Sequence, residues 1–279
     1  MNYSDKLLKA VREAGSVLCV GLDPNLDRIP QPVKDRFEDP AEQVTFFCKM
    51  VVDYTAEHCA AFKPNLAFFE ALGPKGLQVF EEVINHIPKD KIVIADAKRG
   101  DISSTAEHYY KAYFETFNVD ALTLNPLMGF ETLDAFKDHP EKALYVLALT
   151  SNPGAADFLK KSFEGYDMMG QYIAAGLAEW SSEEQTHLGM VIGATQTDIA
   201  ESVLKHHKNG ALLIPGIGAQ GGSVDDTRKA LTNHEGIALI NSSRGIIYAG
   251  GDHENWADLV AGKARETQKL LSSITELYV

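Results

Sequence analysis

The sequence predicts an α/β fold, a closed (β/α)8 or TIM barrel with one extra leading helix, on three observations. Eight short β-type runs each precede a longer helix-type segment, which implies a parallel sheet covered by helices. The chain has 279 residues, 45% of them hydrophobic, enough for one barrel domain spanning 1–279 with no linker or composition break to divide it. The polar clusters all fall at the C-terminal ends of the β-type runs, where a barrel carries its chemistry. A doubly wound open sheet is the alternative, and no GxGxxG follows the first strand.

The elements follow in order. The N-terminal stretch MNYSDKLLKAVREAG has the spacing of an amphipathic helix over 3–14 rather than of a signal peptide. Strands are expected at Val17 to Asp23, Ala61 to Asn65, Ile92 to Ala97, Ala121 to Asn125, Leu144 to Thr150, Gly189 to Thr195, Ala211 to Gly216 and Ile237 to Ser242. Helical segments lie between them, near 41–58, 70–87, 103–117, 130–138, 166–182, 196–207, 224–233 and 253–276. Ser104 to Glu107 (STAE) reads as a capping box for the third of these. Asn152 to Gly170 is long, with few helix signals at its start, and suits a lid over a bound ligand.

Composition narrows the function. The net charge of −13, from 26 basic and 39 acidic residues, argues against a nucleic-acid partner. No apolar run approaches the roughly 20 residues needed to cross a bilayer, so a cytoplasmic protein is expected. Three cysteines, Cys19, Cys48 and Cys59, show no CxxC spacing and read as buried thiols rather than a disulfide framework or metal site. The histidines do not cluster into a triad or metal-ligand spacing, so neither metal nor cofactor is expected.

The chemistry centres on Ile92 to Thr105 (IVIADAKRGDISST), where an apolar strand runs into dense charge. Alternation along the strand sends Asp96 and Lys98 the same way. Gly100 lets the chain turn, so that Asp101 is aimed near them. Two acids flanking a lysine shift proton affinities, although an ion pair at a strand end and a helix-capping acid would also account for this segment alone. Lys63 and Asp23 end neighbouring strands, and the acceptor-only carboxylate of Asp23 suits a sugar diol. Ser151 and Thr123 add short hydroxyls at further strand ends. After the seventh and eighth strands, Gly216, Gly218, Gly221 and Gly222 with Gln220 and Arg244 form an expected phosphate cup, backbone N–H groups and a guanidinium gripping one anion.

Together these motifs resemble the orotidine 5′-phosphate decarboxylase family, in its longer bacterial-type branch. The likeness covers nearly the whole chain: VGLDPN at 20–25, FKPN at 62–65, ADAKRGDI at 95–102, TSNPGA at 150–155, PGIGAQGG at 215–222 and SSRGI at 242–246. The resemblance implies decarboxylation of orotidine 5′-phosphate to uridine 5′-phosphate in pyrimidine biosynthesis, without metal or cofactor. It implies that Lys98 protonates C6, that Asp96 faces the substrate carboxylate, and that Lys63 orders the array and meets the ribose. Asp101 and Thr105 would reach the active site of a second copy across a homodimer interface. Asp23 would hold the ribose, Ser151 would face the pyrimidine, and Gln220 with Arg244 would bind phosphate. The competing readings are a magnesium-dependent phosphosugar lyase of the same superfamily and a non-catalytic phosphometabolite sensor.

Overall fold

In the computed structural model, which describes residues 1–194, 197–217 and 222–279, eight parallel strands close into a barrel in sequence order, the last pairing with the first. They are β1 (Leu18–Leu22), β2 (Ala61–Pro64), β3 (Ile92–Arg99), β4 (Ala121–Leu124), β5 (Ala143–Leu149), β6 (His187–Ile192), β7 (Leu212–Pro215) and β8 (Ala238–Ser242). Each expected strand is present. The helices are α1 (Tyr3–Ala14), α2 (Gln31–Lys34), α3 (Pro40–Thr55), α4 (Leu66–Glu70), α5 (Gly76–His86), α6 (Ser103–Tyr110), α7 (Met169–Trp180), α8 (Thr197–Leu204), α9 (Val224–Ala230), α10 (Arg244–Ile247), α11 (Trp256–Leu270) and α12 (Ser272–Thr275). The strands are buried on both faces, because the helices cover the outside of the sheet while side chains fill its interior.

Several helical expectations need correction. The segment near 130–138 is a 3₁₀ run, Phe130–Phe136, entered through Gly129 at φ +99° and started by a Thr132 N–H to Gly129 carbonyl bond of 3.2 Å. The segment near 70–87 is broken at Gly73–Pro74, where Gly73 has φ +71° and proline cannot continue a helix. The STAE capping box does not form. The residue before α6 is Ile102, no side chain caps the helix, and Ser104 lies inside its first turn. Ser103 takes φ +51° to enter that turn, so the chain arrives from a direction in which the Ser104 hydroxyl cannot act as the cap.

Helix α1 fulfils its amphipathic pattern. Asn2 caps it by accepting from the Asp5 N–H, Gly15 ends it at φ +55°, and Tyr3, Leu7, Ala10, Val11 and Ala14 are buried. Tyr3 bonds the Tyr145 hydroxyl at 2.9 Å and stacks on His187 with centroids 5.8 Å apart, closing the barrel at the N-terminal ends of β5 and β6. All three cysteines are free and buried. Among the described residues no helix is long and apolar enough to cross a membrane.

The base of the barrel sets a pH dependence of stability. His187 Nε2 accepts from the Ala211 N–H at 2.8 Å, a bond that only the neutral ring can make. His234 Nε2 pairs with the Gly210 carbonyl while Nδ1 is buried with no partner among the described residues. Burial pushes both imidazoles down to about 4. In the unfolded chain each titrates near ~6.5. Between those values the unfolded state binds more protons, so stability is complete above the unfolded pKa and lost as pH falls toward 4. Denaturant midpoints are expected to drop between about pH 7 and about pH 4.5, and a His187→Gln/His234→Gln variant to flatten the slope over that interval. An unchanged slope would refute this account.

Candidate active site

At the C-terminal mouth of the barrel lies a cavity of 460 Å³ lined by strand ends from both sides. Its floor is an ion array built on β2 and β3. Lys63 Nζ donates to Asp96 Oδ2 at 2.6 Å, Lys98 Nζ donates to Asp96 Oδ1 at 2.5 Å, and the Thr123 hydroxyl donates to the same Oδ1 at 3.0 Å. Of the Lys63, Asp96, Lys98, Asp101 alternation that the sequence leads one to expect, the first three members meet here, whereas Asp101 does not line this cavity. The side chains of Lys63 and Asp96 are only 7% and 9% exposed, whereas Lys98 is 49% exposed into the mouth. Lys98 is thus the ammonium presented to a ligand, and Lys63 braces it from below.

Burial pushes the Asp96 carboxyl up, but the Lys63 and Lys98 ammoniums outweigh that effect and hold it well below the usual carboxylate range. Burial likewise pushes Lys63 down, and the carboxylates of Asp96 and Asp23 more than offset it, leaving its pKa above the ordinary lysine value. Asp96 and Lys63 are therefore both ionised at neutral pH, each charge stabilised by the other. Removing Lys63 or Asp96 would strand the other in a poorly solvated site.

Simple strand alternation does not describe how Lys98 reaches this place. Ala95 pairs with Leu122 and Arg99 with Leu124, so β3 spends four steps where β4 spends two, and the excess is taken up around Asp96 to Lys98. Lys98 has φ +48°, a left-handed conformation costing a non-glycine residue about 1–2 kcal/mol. Its N–H leaves the ladder and donates to Thr123 Oγ1 at 2.9 Å. Thr123, expected to offer its hydroxyl to substrate, lines the cavity but spends that hydroxyl on the array. Gly100 lets the chain pass close to β4, since a Cβ there would lie 2.3 Å from the Asn125 carbonyl oxygen.

The rest of the cavity wall comes from the ends of β1, β5, β7 and β8. Asp23, Gly216, Ser151 and Arg244 all line the cavity, as expected. Gly216 has φ +105°, and its carbonyl accepts from the Gly222 N–H at 3.1 Å, drawing together the two ends of the glycine-rich turn. Gly218 and Gln220 lie outside the described residues. Asp23 is held from behind: Tyr248 donates to its backbone carbonyl at 2.7 Å and accepts from the Asn25 N–H at 2.6 Å. Asp23 Oδ1 is buried with no partner among the described residues, an acceptor aimed at the cavity.

Two further polar atoms share that condition. Asn241 Oδ1 and Ser243 Oγ line the same cavity, buried and without partners among the described residues. The sequence motifs assign no role to Asn241 or Ser243; the available signal is their place beside Arg244 at a barrel strand end. Asp101 and Thr105 are not brought into this cavity by their own chain. Asp101 instead accepts from the Ile102 N–H at 2.8 Å, and Thr105 is exposed on α6. Asn152 lines the mouth where the long segment before α7 departs, and that segment is pinned at its return by Gly170 N–H to Leu159 carbonyl at 3.0 Å. Among the described residues no group of three or more His, Cys, Asp or Glu is arranged to hold a metal ion.

Known proteins share this sequence and architecture. Residues 16–259 match the model of the family described as "Orotidine 5'-phosphate decarboxylase / HUMPS family". The orotidine 5′-phosphate decarboxylase of Bacteroides fragilis is 38% identical over 269 residues, 95% of this chain and 96% of that one. That of Leptospira interrogans is 38% identical over 276 residues, 97% of this chain and 94% of the other. The structure of Leishmania donovani OMP decarboxylase matches with a TM-score of 0.82 at 32% identity, covering 99% of this chain and 100% of that one. A match that runs from the first strand into the last long helix, with relatives aligned almost end to end, settles the kinship: the chain belongs to the orotidine 5′-phosphate decarboxylase / HUMPS family.

Proposed function

We propose that this chain, acting over 1–279 as one barrel domain, decarboxylates orotidine 5′-phosphate to uridine 5′-phosphate in the cytoplasm without metal or cofactor. The observation that carries the reading is the Lys63–Asp96–Lys98 array, its first two members buried, sharing one cavity with Arg244 and Gly216. Both oxygens of Asp96 are already occupied by ammonium groups, which suits a carboxylate held as a fixed charge. The names carried by the relatives point the same way.

The reaction breaks the bond between C6 and the carboxyl carbon. The electron pair stays on C6, carbon dioxide leaves, and C6 takes a proton from Lys98 Nζ, which regains one from solvent. An sp² carbanion is poorly stabilised by the ring, so the site must lower the barrier by ~20 kcal/mol or more. A preorganised ammonium beside the developing charge is the strongest contribution a poorly hydrated cavity offers. Asp96 stands beside the substrate carboxylate, Asp23 and Lys63 meet the ribose, and Ser151 faces the pyrimidine. Arg244 and Gln220, with the Gly218 turn, grip the phosphate, so that remote binding places the reacting carbon.

Asp101 and Thr105 complete the site of a second copy in a homodimer. The loops following β3 and β4 carry Ile102, Leu127 and Met128 at 36%, 60% and 51% exposure, an apolar face next to Asp101 that suits burial against another copy. The test of the whole reading is spectrophotometric loss of orotidine 5′-phosphate in the presence of a chelator. Full turnover is expected; activity that needs added magnesium, or nucleotide binding without turnover, would overturn it.

A further inference from the structure

We propose that Glu70 and Arg99 form a clamp outside the barrel that holds Lys98 in its left-handed backbone conformation, making Arg99 a positioning residue for proton transfer. This rests on the reading of Lys98 as the proton donor. Arg99 is the next residue after Lys98, yet it does not line the cavity. Its guanidinium packs instead between α4 and α6, with its side chain 26% exposed.

Every donor edge of that guanidinium is engaged. One terminal nitrogen donates to the Glu70 carboxylate, the other reaches the Ala97 carbonyl at 3.4 Å, and Nε donates to the Tyr113 hydroxyl at 3.1 Å. Its carbon lies 5.4 Å from the ring centroid of Tyr109 and 5.9 Å from that of Tyr113. The two tyrosines are four residues apart where α6 passes into a π-helical turn, Lys111–Thr116, so both face the same arginine.

The clamp joins three pieces of the site. Glu70 ends α4, which begins directly after Lys63, Pro64 and Asn65. Arg99 ends β3, and the tyrosines belong to the helix that follows Asp101. On the cavity side, among the described residues, Lys98 is tied through its N–H to Thr123 and its ammonium to Asp96. Beyond it, the ladder resumes where the Asn125 N–H donates to the Arg99 carbonyl at 2.8 Å. A left-handed residue persists only when its surroundings over-determine it. If Arg99 were released, Lys98 would be free to relax toward ordinary strand geometry, which keeps it on the face of Asp96 but moves its backbone along the strand and shifts where its ammonium stands over the cavity.

The test compares Arg99→Ala, Arg99→Lys, Glu70→Gln and the reciprocal Glu70→Arg/Arg99→Glu, with Lys98→Ala assayed in parallel. Measured for each are kcat and KM on orotidine 5′-phosphate, the dissociation constant of uridine 5′-phosphate, and the thermal midpoint. For Arg99→Ala, kcat is expected to fall roughly 10- to 100-fold, the cost of a small misplacement, with KM and product affinity within about threefold. Arg99→Lys keeps the charge but loses the planar fork, so it is expected to recover only part of kcat, and the reciprocal pair more. Glu70→Gln preserves shape and serves if the alanine variant fails to fold.

If Arg99→Ala and Glu70→Gln keep kcat within about twofold while Lys98→Ala abolishes turnover, the clamp is refuted and the proton-donor assignment stands. A rise in KM that matches the fall in kcat/KM, with kcat unchanged, refutes it too. If Lys98→Ala itself keeps turnover, the proton-donor reading fails and the clamp falls with it.

Discussion

Lys98→Ala is expected to fold normally and to lose at least roughly 10⁴-fold in decarboxylation, about 5 kcal/mol of barrier. Folding should survive because the Lys98 side chain is half exposed into the cavity and Asp96 keeps both the Lys63 ammonium and the Thr123 hydroxyl. Catalysis should not, because among the described residues no other ammonium is presented to a ligand there: Lys63 is buried against Asp96, and Arg244 lines the cavity from the end of β8. Water cannot replace the lost group, since it carries no charge to meet the carbanion and must reorient to act. The measurement is loss of substrate absorbance, with far-ultraviolet circular dichroism and nucleotide binding confirming a folded protein. Turnover near that of the unmodified chain would end the proton-donor assignment.

A mixture of Asp101→Ala and Lys98→Ala chains, each inactive alone, is expected to recover roughly one quarter of normal activity after subunit exchange. Random pairing makes half the dimers mixed, and each mixed dimer holds one site with both residues intact. The prediction follows from where Asp101 lies: within its own chain it accepts from the Ile102 N–H and does not line the cavity that contains Lys98. No recovery, with exchange demonstrated by differently tagged chains, would show that each site is built from one chain alone.

The barrel was legible because its signal is local and repeated. Eight apolar runs, each ending in polar residues and followed by a helical segment, admit few arrangements, and all eight strands are present. Most candidate residues were legible for the same reason, since a barrel brings its strand ends to one mouth: Asp23, Lys63, Asp96, Lys98, Ser151 and Arg244 meet there. The errors came where a positive-φ residue redirected the backbone against the pattern of side chains. STAE has the spacing of a capping box, but the path from Gly100 enters the helix two residues earlier, with Ile102 rather than Ser104 at the cap position. Phe130–Phe136 has helical composition but winds as a 3₁₀ run.

By itself the sequence determined which chemical groups end each strand, hence the barrel, the charge pattern at its mouth and the family. Tertiary structure decided how those groups are held. Strand alternation put Asp96 and Lys98 on one side, but their 2.5 Å contact depends on a bulge in β3, a threonine of β4 and an arginine locked to a glutamate after β2. The physical reason is that hydrophobic periodicity depends on neighbours along the chain. A left-handed lysine, a buried ion pair and an Asn241 Oδ1 with no partner among the described residues depend on residues tens to hundreds of positions away, whose placement only the closed sheet supplies.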